Sequence, residues 1–421
     1  MAEGPQTVIT GLGPVSAIGS GREAFWGALL AGRHGFGPIT LFDASAHASR
    51  IAAEVKDFRL EDFVVREGRV LGRLYPRHAQ LGLAASVLAL RDANLDLESC
   101  DPTRIGLYVG SSVGNLQGIC QEAVAWSSTG AVGPTVAFQL FHHAAACVIS
   151  AHLDLRGPVC TISTGCNSGI DALGHAWRLI QSGAADAMLV VGTDCEVVPE
   201  LVAALDASEA LATRYNDAPG RASRPFDKDR DGYVIGEGAG ALLLEAESQA
   251  LARGARPYAR VAGAQCLAVG RRRRYSHDRP DLDAGACVQS LRDVLREAGW
   301  QPESVDVINA NGSSSVRYDV LEARALSEVF GDHLGRVRVH SIKSMLGQHG
   351  AGSSALQATS AALSLFHDEV PPTINHEEID PACLPLRVVT ERETGRFERA
   401  LAHAIGFGGF YYSWCALAAC H

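Results

Sequence analysis

Short apolar runs that end on glycine, alternating with longer stretches of helical spacing, constrain the fold of this chain more than any other feature. Val8 to Thr10 runs into Gly11 and Gly13, and Ile105 to Val109 into Gly110. Ala187 to Val191 leads into Gly192, Thr193 and Asp194, a strand ending in a loop suited to function. Ala241 to Leu244 follows Gly236-Glu237-Gly238. Further on, Tyr258 to Gly263, Val305 to Ala310, Val337 to Ser341 and Ala400 to Ile405 have the same character. Helical spacing is found over Arg77 to Asn94, Gly169 to Ser182, Ala284 to Ala298 and Ala355 to His367. Apolar runs without alternation are buried on both faces, and strand–helix repetition predicts βαβ units around a largely parallel sheet. Gly11-Leu12-Gly13 and Gly236-Glu237-Gly238 lack the spacing and the following Gly-Lys-Ser/Thr of a phosphate loop, so both read as tight backbone turns. The polar, turn-rich stretch 197–232 is expected to pack as an excursion over the sheet.

A chain of 421 residues exceeds a typical single domain, and two similar halves sharing one body are expected because no low-complexity linker separates them. No short sequence repeat marks the halves, so any duplication is structural. The formal net charge of −10 argues against nonspecific binding to nucleic acid or to anionic lipid. The start, MAEGPQTVITGLG, lacks the basic and apolar segments of a signal peptide, and no run approaches the roughly 18 apolar residues of a membrane span. Eleven scattered cysteines, an odd number without a CxxC pair or a Cys/His cluster, predict no metal site. A reducing cytoplasm is the expected location, with most cysteines acting as small buried hydrophobes.

Chemistry concentrates at Thr164-Gly165-Cys166-Asn167-Ser168-Gly169. The β-prone run Val159 to Ser163 ends there and a helical pattern begins at Ile170. Unpaired N–H groups at a helix start favour thiolate and can serve an oxyanion, which makes Cys166 a candidate nucleophile toward a thioester. Taken alone, the hexapeptide is equally compatible with a small buried cysteine beside a tight turn.

The wider pattern resembles the β-ketoacyl synthases of fatty acid and type II polyketide assembly, over nearly the full length. VITGLGPVSAIG is similar to their opening strand, and RPFDKDRDGYVIGEGAGALLLE to their FD..RDG...GEGA segment. INANGSSSVRYDVLEARAL is similar to their NAHGTGT...D..E block, and SIKSMLG, PPTIN and IGFGGF follow in the expected order. The resemblance implies a thiolase-like five-layer αβαβα fold with two pseudo-symmetric halves, 1-255 bearing the nucleophile and 256-421. It also implies an obligate dimer pairing the strand near Pro158 to Ser163 across a twofold. Cys166 falls on the acyl-accepting nucleophile. Phe407, followed by Gly408 in the same glycine loop, falls on the gate whose backbone N–H helps form the oxyanion hole. Phe138, Phe141 and His142, with His143, fall in a segment lining the acyl tunnel and the dimer interface, where packing and gating are both open readings. No bound cofactor is implied; the substrate is carried on the phosphopantetheine arm of an acyl carrier protein.

Departures from that pattern bear on activity. These enzymes use Cys-His-His, whereas the first histidine position here is Asn311 and the second is Gln348, with Lys343 retained and its usual glutamate partner replaced by Gln357. Side-chain amides donate hydrogen bonds but take up no proton near neutral pH, so acid–base support for decarboxylative condensation is lost. His349 neighbours Gln348 but should face elsewhere. The run Arg271 to Arg274 reads as a solvated loop, with contact to phosphates or an acidic carrier protein as the sharper alternative. Two functions follow as expectations. One is a chain-length-factor (KSβ-like) partner that forms a heterodimer with an active ketosynthase and bounds the growing chain. The other is a non-elongating acyltransferase, self-paired, using Cys166.

Overall fold

Each half of the chain builds five strands into one and the same order. In the computed structural model, which describes residues 4–64, 72, 74–269 and 284–420, the first half supplies β1 (Thr7–Ser16), β2 (Ile105–Gly110), β3 (Val159–Ile162), β4 (Ala187–Cys195) and β5 (Ile235–Ala246). The second supplies β6 (Ala259–Ala268), β7 (Val307–Asn309), β8 (Arg338–His340), β9 (Arg399–Ile405) and β10 (Tyr411–Ala418). From their outer edges the strands run β3-β2-β4-β5-β1 and β8-β7-β9-β10-β6. In both, the second strand is parallel to its two neighbours and the other pairings are antiparallel. The halves meet at a short antiparallel seam, Val8 opposite Arg260 and Ile9 opposite Ala259. This is the pseudo-symmetric arrangement expected. The largely parallel sheet is corrected to a mixed one: apolar runs report burial on both faces, which helices on both sides impose whatever the strand direction. The run Arg271 to Arg274 lies outside the described residues.

The helices that layer these strands are α1 (Arg77–Asp92), α2 (Ala144–Leu153), α3 (Ser168–Gln181), α4 (Gly285–Ala298), α5 (Tyr318–Phe330) and α6 (Gly350–His367). α1 and α2 cover the outer face of the first half, α4 and α5 that of the second, and α3 and α6 lie side by side between them. The result is five layers, αβαβα. Every residue of α6 from Gly350 to Leu365 is buried, and most are Gly, Ala or Ser, which lets strands approach closely.

Glycines do the complementary work on the strands. A Cβ at Gly192 would lie 2.3 Å from the Ala351 carbonyl oxygen, and one at Gly240 3.0 Å from Ala355. Gly11 and Gly13, expected in a turn, lie inside β1, where a Cβ would meet the carbonyls of Ala89 and Ala85 on α1 at 2.2 and 1.9 Å. Gly236 and Gly238 lie inside β5 rather than in a turn. Close packing, not chain reversal, is the reason for these residues: against α1 for Gly11 and Gly13, against Ala53 and Leu346 for Gly236, and against His349 and Val15 for Gly238. The excursion 197–232 carries a helix, Pro199–Ala207. β10, α2 and α5 had no counterpart among the expected elements.

Candidate active site

Pseudo-symmetry places the chemistry where the two central helices begin. α3 and α6 touch at their first turns: the Gly169 N–H donates to Ser354 Oγ at 3.1 Å, and a Cβ on Gly169 would come within 2.5 Å of Ala351 O. Cys166 precedes α3 and Gln348 precedes α6, so the same crossing brings both to one point.

The nucleophile turn is held rigidly. Gly165 has φ 75°, a left-handed conformation that glycine adopts without strain. Ser168 Oγ donates to Gly165 O at 2.6 Å and accepts from the Thr164 N–H at 2.9 Å. The Asn167 amide reaches the second half, donating to Ala404 O and Ser413 Oγ at 3.0 and 2.8 Å. Cys166 is left 9% exposed on a cavity of about 1090 Å³ that is also lined by Glu196, Asn311, Gln348 and Phe407. The Phe407 backbone N–H and the Gln348 side-chain amide stand near its sulfur as donors that favour thiolate.

Favoured thiolate was the expectation for Cys166, and it is corrected. Burial and the nearby Glu196 carboxyl push the thiol up to about 12, against the opposing pull of Lys343 and of the two donors. Cys166 lies outside the helix proper, two residues before its first turn residue, and desolvation outweighs a modest dipole.

Asn311 and Gln348 are both built into hydrogen-bond networks. Asn311 Oδ1 accepts from Lys343 Nζ at 2.8 Å and from the Ile405 N–H at 3.1 Å, while its own N–H donates to Glu322 at 2.7 Å. Burial lowers the Lys343 ammonium to about 8 despite the anionic groups around it. Gln348 is fixed by its backbone between Val234 O and the Gly236 N–H. Gln357 does not pair with the lysine; its amide donates to Ala310 O and His403 O, each at 2.7 Å. Among the described residues no histidine lines the cavity. His349 turns toward Gly238 and Gly352 and burial pushes it down to about 3, while His403 is bound to Glu322 at 2.5 Å and stacked on Trp414.

The gate loop lines the cavity, with Phe407 half-exposed. The Gly408 N–H is taken by the Tyr318 hydroxyl at 2.8 Å, which leaves the Phe407 N–H as the donor facing Cys166. Phe138, Phe141 and His142 are not on the wall of this cavity within the single chain. Helix Val136–Gln139 and the turn after it stand at the surface, with Phe138 83% exposed. The cavity residues not anticipated include Glu196, Tyr233 and Tyr318. For Glu196 the available signal was its place just past Gly192-Thr193-Asp194, the loop singled out as functional. No cluster among the described residues could hold a metal ion, and no described helix is long and apolar enough to cross a membrane.

Comparison with known proteins agrees with this geometry. The family model for the β-ketoacyl synthase N-terminal domain matches residues 6–250, and that for the C-terminal domain matches residues 258–377. A 3-oxoacyl-acyl-carrier-protein synthase 2 of Synechocystis is 36% identical, covering 97% of this chain and 96% of that protein. The tetracenomycin polyketide synthase ketoacyl synthase alpha subunit of Streptomyces glaucescens is also 36% identical, covering 96% and 95%. Among solved structures, the ishigamide ketosynthase/chain length factor superposes with a TM-score of 0.88 at 30% identity, covering 99% of this chain and 100% of that one. A type II polyketide synthase acyl-carrier protein in complex with its hexaketide-bound ketosynthase gives 0.89 at 27% identity, with coverage of 99% and 100%.

Proposed function

Because this chain belongs to the β-ketoacyl synthase family, we propose that it is a chain-length-factor subunit of type II polyketide assembly. It pairs with an active ketosynthase, bounds the growing chain presented on the phosphopantetheine arm of an acyl carrier protein, and has little or no condensing activity of its own. The observation that carries this reading is the amide pair Asn311 and Gln348 at the two imidazole positions. Asn311 gives its carbonyl oxygen to Lys343 and Ile405, and the Gln348 amide stands near Cys166 as a donor, so neither can hold or move a proton. Losing one preorganised donor costs about 100- to 1,000-fold in such reactions, and loss of both imidazoles removes the support for decarboxylation as well. The test is co-expression with a Cys-His-His ketosynthase from the same source: a stable one-to-one complex is expected, and a chain that never associates with it would contradict the reading.

A specific observation supports a second reading, that of a non-elongating acyltransferase. Cys166 opens on a large cavity and its sulfur has donors from Phe407 and Gln348, an arrangement suited to accepting an acyl group. Thioester exchange needs a nucleophile and a site for the oxyanion, and no decarboxylation.

A further inference from the structure

Among the described residues, Glu196 is the one carboxyl group on the Cys166 cavity wall that is buried, close to the nucleophile and unclaimed by another residue. It lies just beyond β4, two residues after Asp194, and the two differ sharply. Asp194 accepts from Ser111 Oγ at 2.8 Å, from the N–H groups of Ser112 and Val113, and from the Ala351 N–H at 2.8 Å. The Glu196 carboxyl has no hydrogen-bond or ion-pair partner among the described residues, although the residue is only 6% exposed. Space for both is left at Gly350, where a Cβ would lie 2.3 Å from Asp194 Oδ2 and 2.7 Å from Glu196 Oε1. The charged or titratable groups facing Glu196 are Asp194 beside it, Lys343, Cys166 and Tyr233. Burial and the Asp194 carboxylate hold it protonated well above the ordinary carboxylate range, with Lys343 opposing.

We propose that Glu196 is the proton carrier for acyl exchange at Cys166, doing in this cavity the proton transfer that no imidazole among the described residues is placed to do. This rests on the reading in which Cys166 accepts an acyl group. Cys166 starts as a thiol, so its proton must leave as its sulfur bonds to the thioester carbonyl carbon. The carbon–sulfur bond to the phosphopantetheine arm breaks, and the departing sulfur must gain a proton. A carboxyl group with both oxygens free does both: one oxygen takes the Cys166 proton while the other gives its proton to the departing sulfur. Glu196 ends protonated as it began, and the net change is one thioester and one thiol for another such pair.

The test compares two reactions of Cys166 followed by intact-protein mass spectrometry in the wild type and in Glu196→Gln. Hexanoyl-pantetheine reports acyl exchange, and iodoacetamide reports thiolate alone. Acyl exchange in Glu196→Gln is expected to fall about 100-fold or more, the usual range for a lost general acid–base. Alkylation is expected to change little, since the amide replaces a carboxyl group that is already neutral. A variant in which both reactions rise, or in which exchange is unchanged, overturns the proposal and reduces Glu196 to a group that merely suppresses the thiolate. Glu196→Asp, which keeps a proton carrier, should retain exchange above the Gln variant, and equal loss in both counts against the proposal even if the Gln variant is poorly folded. A wild type that alkylates at Cys166 but never accepts the hexanoyl group sinks the acyl-holding reading itself, an outcome distinct from all of these.

Discussion

Lys343 Nζ donates to Asn311 Oδ1 across 2.8 Å, linking the two positions that the family resemblance marks as its lysine and its first imidazole. Both residues are buried, at 2% exposure each, and the same Asn311 oxygen also accepts from the Ile405 N–H. Asn311 is therefore a structural partner for a buried ammonium. Asn311→Ala strips that ammonium of its acceptor and should destabilise the fold by about 1.5 to 3 kcal/mol, the range for hydrogen bonds to charged groups. Urea denaturation measures it, and an unchanged midpoint would show that water replaces the amide.

The Cys166 thiol, raised to about 12 by burial and by Glu196, sets a pH dependence. Because the thiolate is the reactive form, the rate of alkylation by iodoacetamide should climb about tenfold per pH unit from 7 to 10 without levelling. Gln348→Leu removes a donor that favours thiolate and should slow the reaction at every pH in that range. A plateau below pH 9 in the wild type would mean that the donors outweigh burial. Cys166→Ala identifies the signal, since Cys147, Cys160 and Cys266 are exposed and also react.

Two glycines in similar company should respond to alanine with opposite sign. At Gly13 the new Cβ would stand 1.9 Å from the Ala85 carbonyl oxygen, a backbone atom of α1 that cannot rotate away. Overpacking of this kind costs about 1 to 3 kcal/mol and occasionally more. At Gly27, inside the helix Arg22–Leu30, no atom lies within 4 Å of the Cβ site, so Gly27→Ala should stabilise by about 0.4 to 1 kcal/mol through helix propensity and a less free unfolded chain. Thermal denaturation of the two variants side by side checks both signs.

The glycines also show where sequence was a good guide and where it was not. Apolar runs located nine of the ten sheet strands named above to within a few residues or by their centres, because burial on both faces leaves an unbroken apolar signal. They could not report strand direction, nor distinguish a glycine that turns the chain from one that admits a close neighbour, which is why Gly13, packed on α1, and Gly238, packed on His349 and Val15, were misplaced. At the site, Cys166, Asn311, Gln348 and Lys343 were legible through motif order, and the structure brings all four together. Glu196 was not legible, since its importance lies in being unpaired and beside Cys166, a property of three-dimensional packing. The raised thiol had the same origin: a helix start is visible in sequence, whereas desolvation is not.

The last prediction concerns assembly. β3 is the outer strand of the first half, and its residues Val159 and Cys160 are exposed, with Val159 at 43%. An uncovered strand edge, and the well exposed side chains of Trp126, Phe138 and Phe141, are aggregation hazards unless another chain covers them. Sedimentation at micromolar concentration should therefore show a dimer, and Phe141→Glu should shift it toward monomer or insoluble protein by placing a charge in the apolar face. A wild-type monomer that stays soluble would contradict the expected pairing. Mixing with a Cys-His-His ketosynthase then separates the two functions. Exchange into a heterodimer supports the chain-length partner, and in that complex Cys166→Ala should leave product formation intact. A homodimer that refuses exchange and loses acyl transfer on Cys166→Ala supports the acyltransferase.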